Sequence, residues 1–157
     1  MKHTSLRRTS ENQIKDKGMG GRNVSLILNK EEAKMTISEA FSRVERLKPN
    51  AYSYVEKIEW LSKLEGIIKK EIIDTHSDGE NIVFNGYGYN TLPETELIVK
   101  APYDDVYVYW LEAQIDYYNG ETAKYNNSIA TFNSAYSDFS AAYNREHMPK
   151  PHKTKYF

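Results

Sequence analysis

The chain contains no cysteine. That absence removes disulfide frameworks, thiol nucleophiles and cysteine-based zinc sites from consideration. No run approaches eighteen consecutive apolar residues, and the first residues hold no apolar core of a secretory signal. The expectation is a soluble protein made in the cytoplasm, with no membrane partner. Also missing is any constellation of nucleophile, base and orienting group, so no enzyme is expected.

The nearest approaches to chemical motifs fail on spacing. Asp74-Thr75-His76-Ser77-Asp78-Gly79-Glu80 mixes oxygen and nitrogen ligands, but it has neither EF-hand spacing nor a second histidine. It reads as a polar helix end and turn. Asp105, Glu112 and Asp116 recur at helical spacing and read as a solvated strip, because acid–base carboxylate pairs need a pocket. Asn85-Gly86-Tyr87-Gly88-Tyr89 offers G-x-G without the third glycine or the strand-to-helix setting of a phosphate loop. His147 and His152 sit beside Pro149 and Pro151 and are expected to face solvent, whereas Trp60 and Trp110 read as core residues. Catalytic residues, cofactors and metals are all expected to be none.

What is present is aromatic. Thirteen tyrosines are many for 157 residues, a length that fits one domain, and tyrosine serves interfaces through an apolar ring with a polar tip. Charge is divided along the chain: residues 1–34 carry +4, residues 35–144 carry −8, and the last thirteen residues carry +3. An acidic body repels phosphates, which argues against a sequence-reading DNA binder unless the tails do the work.

The pattern predicts a mainly α fold: a four-helix domain over 35–148, a basic arm over 1–34 and an extended basic tail over 149–157. The arm is read either as flexible or as a misassigned start. Codons for Lys30-Glu31-Glu32-Ala33-Lys34 could hold a ribosome-binding site just before Met35. Thr36 and Glu39 form a capping box, and Ile37, Ala40, Phe41, Val44 and Leu47 give the first helix one apolar face, ending near Lys48. Ser53 caps a second helix running to about Thr75. Between helices two and three, Ile82-Val83-Phe84 and Leu97-Ile98-Val99 suggest a small two-stranded β element or an extended loop. The third helix begins near Pro102 and ends at Asn119-Gly120. Its apolar residues cover most of its circumference, an enclosure that a neighbouring subunit would help to complete.

The fourth helix, about Glu121 to Glu146, carries the most informative pattern. Tyr125, Ile129, Phe132, Tyr136, Phe139 and Tyr143 are spaced 4, 3, 4, 3, 4, which lays one apolar seam along the helix. Its opposite face holds Asn126, Asn127, Thr131, Asn133, Ser134, Ser137 and Ser140, with Asp138 the lone charge. These are poor helix formers, and a face meant only for water normally carries Lys and Glu. Small uncharged residues let another surface come close. The expected interface residues are therefore Tyr87 and Tyr89 at the Gly-Tyr loop, Asn126, Asn133, Ser137 and Ser140 on this face, and Pro149 and Pro151 in the tail.

Several blocks carry a resemblance. The longest is Glu96-Leu97-Ile98-Val99-Lys100-Ala101-Pro102-Tyr103-Asp104-Asp105-Val106-Tyr107. It is joined by Tyr117-Tyr118-Asn119-Gly120-Glu121, Tyr125-Asn126-Asn127-Ser128, Phe132-Asn133-Ser134-Ala135-Tyr136 and Tyr143-Asn144-Arg145-Glu146-His147-Met148-Pro149. Together they resemble the head–tail connector (head-completion or adaptor) proteins of tailed phages and prophages of Gram-positive bacteria. The likeness spans roughly Met35 to Pro149. It implies a structural virion protein forming an oligomeric ring at the neck, commonly of twelve copies, between the portal protein and the tail or neck components. DNA would pass through the channel without sequence-specific binding. The implied location is the virion neck, and the host cytoplasm during assembly. Alternatives are another morphogenesis factor, such as a tail-completion protein or scaffold, and a small DNA-binding regulator.

Overall fold

The computed structural model describes residues 34–151, so residues 1–33 of the expected 1–34 arm, together with His152 and the tail beyond Pro151, lie outside the described residues, while Lys34 falls in the first strand. The elements run β1 (Lys34–Thr36), α1 (Ile37–Leu47), α2 (Tyr54–Glu71), β2 (Glu96–Lys100), α3 (Asp105–Tyr118) and α4 (Thr122–Glu146). Two single 3-10 turns, Ile73–Thr75 and Gly79–Asn81, follow α2. The fold is mainly α with a small two-stranded antiparallel sheet.

Local chemistry starts the first two helices. The Glu39 amide donates to Thr36 Oγ1 and the Thr36 amide donates to the Glu39 carboxylate, both at 3.2 Å. Ser53 and Glu56 repeat this box at 3.3 and 2.8 Å. Each box satisfies donors that a helix start would otherwise leave unpaired, worth about 1 kcal/mol per cap. The α3–α4 turn hinges on Gly120, whose φ of +73° is accessible at little cost only to glycine. There the Gly120 amide bonds the Tyr117 carbonyl and the Glu121 amide bonds that of Asp116.

The sheet differs from the sequence expectation. Leu97–Val99 is a strand, but its partner is β1, with Lys34 opposite Lys100 and Thr36 opposite Glu96. Ile82-Val83-Phe84 is extended and unpaired, with Val83 exposed. Side chains take two of the β2 amides: Ile98 donates to Glu65 and Val99 to the Tyr107 hydroxyl, each at 2.8 Å.

The core gathers Ile58, Leu61, Leu64 and Ile68 from α2 with Val106, Tyr107, Leu111 and Ile115 from α3. Ile37, Ala40 and Val44 of α1 close one side, and Leu97 and Val99 of β2 another. Helix α3 touches α1, α2 and α4, so the chain itself encloses most of it and no second subunit is needed there. Its exposed remainder is Tyr117 and Tyr118 at the C-terminal end. Trp60 is buried as expected, while Trp110 is half-buried and donates its indole N–H to the Trp60 carbonyl at 2.8 Å.

Candidate assembly surfaces

Helix α4 lies along α3 and makes its main contacts there. The heptad seam turns inward: Phe132 and Phe139 are buried, and Tyr125, Ile129, Tyr136 and Tyr143 are half-buried. Ring centroids across the hairpin approach to 5.0 Å for Phe132 and Trp110 and 5.4 Å for Tyr125 and Tyr117. With the seam spent on α3, the other side is left open. Asn126, Asn127, Thr131, Asn133, Ser134, Ser137 and Asp138 are exposed, and Ser140 is half-buried at the margin. Among the described residues, the side chains of Asn126, Asn133, Ser134 and Ser137 make no hydrogen bond within the chain. Short side chains of this kind let a second helix approach to about 8 Å between axes.

The sequence reading pairs Tyr87 with Tyr89 as anchors for a partner, and the structure separates them. Tyr87 is half-buried in its own domain, with its amide bonded to Ser62 Oγ at 2.8 Å and its ring edge-on to Phe84 at 5.0 Å. Burial, with the Glu65 carboxylate close by, pushes its phenol pKa well up. Tyr87 is thus packed inward against its own domain, where Ser62 and Glu65 of α2 and the Phe84 ring meet it. Tyr89 points outward from a tight turn in which the Thr91 amide meets the Gly88 carbonyl at 2.9 Å. Tyr54 ties this turn to α2 through its hydroxyl, 2.7 Å from the Thr91 carbonyl.

The tail also differs. Pro149 does not begin a free extension but pairs with His76 in an antiparallel bridge. The Ser77 amide meets the Met148 carbonyl at 3.0 Å and the Lys150 amide meets the Thr75 carbonyl at 2.8 Å. His147 is not solvent-facing: its ring stacks on Tyr143 at 3.7 Å, and Nε2 lies 3.3 Å from the Asp78 carboxylate. His76 is buried, with Nδ1 2.8 Å from the Ile72 carbonyl. The segment after α4 is thus clasped to the turn after α2. Gly79 permits that turn, because a side chain there would overlap the Ile73 carbonyl. Pro151 is exposed at the last described position.

Two buried carboxylates escaped the sequence reading. Asp116 is not part of a solvated strip. It is fully buried, and its Oδ2 is 2.5 Å from both Lys48 Nζ and Ser128 Oγ, tying α1, α3 and α4 together. Asp105 is exposed and pairs with Arg43 at 3.0 Å, while Glu112 is half-buried and desolvation raises its pKa. Glu65 is fully buried and accepts from the Tyr107 hydroxyl at 2.5 Å as well as from Ile98. Its other oxygen has no partner, and burial holds its carboxyl pKa above the usual range. Neither residue had a local signal, since the partners are distant in sequence.

These groups do not assemble a reactive site. The Glu65 network is sealed in the core, and the described residues include no group of three His, Asp or Glu placed to hold a metal. No helix among them is long and apolar enough to cross a membrane. A cleft of about 360 Å³ between β2 and the C-terminal half of α4 mixes Lys34, Lys100, Asp78 and Glu146 around apolar walls. Compared with family models, curated proteins and solved structures, the chain matches none.

Proposed function

We propose that this chain is a structural subunit of a tailed-phage neck, assembling with copies of itself into a ring between portal and tail. The observation that carries the proposal is the outward face of α4. There, exposed Asn126, Asn133 and Ser137 form a low-charge surface on a helix whose apolar seam is already used by α3. A face with no internal role and little charge supports contact with another protein more than exposure to water alone. The resemblance of the 96–149 blocks to head–tail connector proteins supplies the kind of assembly. The acidic body, −8 over residues 35–144, suits a wall past which DNA slides, since like charge disfavours phosphate contacts.

Deletion of the gene from the prophage or phage that encodes it tests the reading. The expected outcome on electron microscopy is DNA-filled heads and free tails that fail to join, and unaltered virions would overturn it. A regulator would instead bind duplex DNA at micromolar affinity or tighter, with a steep loss as salt rises.

A further inference from the structure

Two exposed apolar features lie at α1, one at its N-terminal end and one along its C-terminal half. One is the double turn over 88–95, which presents Tyr89, 74% exposed, and Leu92, 69% exposed. Its backbone is fixed: Thr91 bonds back to Gly88 at 2.9 Å, Thr95 to Leu92 at 3.0 Å, and the carbonyls of Pro93 and Thr95 accept from Ser38 and Ile37. The other is a shallow groove of about 360 Å³ lined by Arg43, Arg46, Leu47, Asp105, Val108 and Tyr109. Leu47 is 65% exposed at its edge.

Their charges are complementary. Arg46 pairs with no carboxylate among the described residues, and its Nε donates only to the Ser42 carbonyl of its own helix. Glu94 and Glu96, on the turn and just after it, are exposed and likewise unpaired among the described residues. The turn is anchored at Ile37 and Ser38, whereas Arg46 and Leu47 are more than two turns of helix further on. Eight residues of α1 separate Ser38 from Arg46, about 12 Å of rise.

We infer that the 88–95 turn of one copy docks into the α1–α3 groove of a second copy, with Tyr89 and Leu92 against Leu47 and Tyr109, and Glu94 facing Arg46. This inference rests on the proposal of self-assembly and names the contact. Because the two patches are different surfaces, the contact is head-to-tail, and a docked pair still offers one free turn and one free groove. Repetition closes a ring when the rotation allows. The fixed turn enters the contact with little ordering cost.

Sedimentation velocity of the full chain tests the contact. The wild type is expected to associate, while Leu47→Asp in the groove and Tyr89→Ala with Leu92→Asp on the turn each weaken association about tenfold or more. Mixing the groove variant with the turn variant should restore one turn–groove contact that neither variant makes with itself, seen as faster sedimentation than either shows alone. Glu94→Arg should restore association to Arg46→Glu. All these positions except half-buried Tyr109 are exposed, so thermal melting should stay at the wild-type value and separate lost docking from lost folding. If the wild type associates and the variants associate equally well, the docking contact is wrong and self-assembly stands. A wild type that stays monomeric at millimolar concentration overturns both.

Discussion

Helices α2 and α4 belong to one domain but are used differently. Of the 18 residues of α2, seven are buried, including Ile58, Leu61, Leu64, Glu65 and Ile68. Of the 25 residues of α4, three are buried: Phe132, Phe139 and Ala142. The longer helix thus gives the fold less. Helix α2 is held by α3, the sheet and the Glu65 network, whereas α4 is held by one seam, the Asp116 pair and the clasp at its end. On the proposed function, a helix with so little buried per turn serves through what its free side presents.

The sharpest way to break this contrast is to remove the seam. Phe132→Ala or Phe139→Ala should cost about 3–5 kcal/mol as buried aromatics, read by chemical denaturation. Amide exchange should then show α4 opening before α2. Simultaneous loss of protection in both helices would mean that α4 is as integral as α2.

A smaller effect is expected at the centre. Tyr107→Phe removes the hydroxyl that accepts from Val99 and donates to Glu65, for a loss of about 1–3 kcal/mol. The loss should appear as global unfolding, with protection falling in α2, α3 and β2 together.

Glu65 adds a pH dependence to the same region. Its folded carboxyl titrates above the unfolded value, so the folded state favours the protonated form. Stability should fall as pH rises from the ordinary glutamate range through the raised folded value, and then level off. Asp104 and Glu112, also raised by burial, act in the same direction. Glu65→Gln should flatten most of this fall in denaturation curves across pH, and an unchanged slope would remove Glu65 as its main source.

The smallest effect on folding belongs to the free side of α4. Asn133→Lys should change stability by no more than about 0.5 kcal/mol. The same change should abolish assembly, which native mass spectrometry would register. Normal assembly in that variant would leave the face without a role.

What could be read from the chain is what local chemistry settles. Thr36 with Glu39, Ser53 with Glu56, and the α4 heptad all act within one or two helical turns, so spacing reveals them. The β1–β2 pairing joins segments about sixty residues apart, and the true partner Lys34-Met35-Thr36 is less strand-like in composition than the unpaired Ile82-Val83-Phe84. Glu65 looks like a surface residue until its acceptors' donors, Ile98 and Tyr107, arrive 33 and 42 residues later. Asp116 likewise waits for Lys48, 68 residues earlier. Tyr87 and Tyr89 share one glycine-flanked motif, yet only the three-dimensional position of α2 decides which ring turns inward.

The clasp at the end of α4 offers a practical foothold. Met148 has its carbonyl held by the Ser77 amide and hydroxyl, yet its side chain is 77% exposed. In a protein without native thiols, Met148→Cys would carry a single fluorophore on an immobilised backbone. In the proposed ring, energy transfer between such dyes on adjacent copies would count and space them without disturbing the turn or the groove.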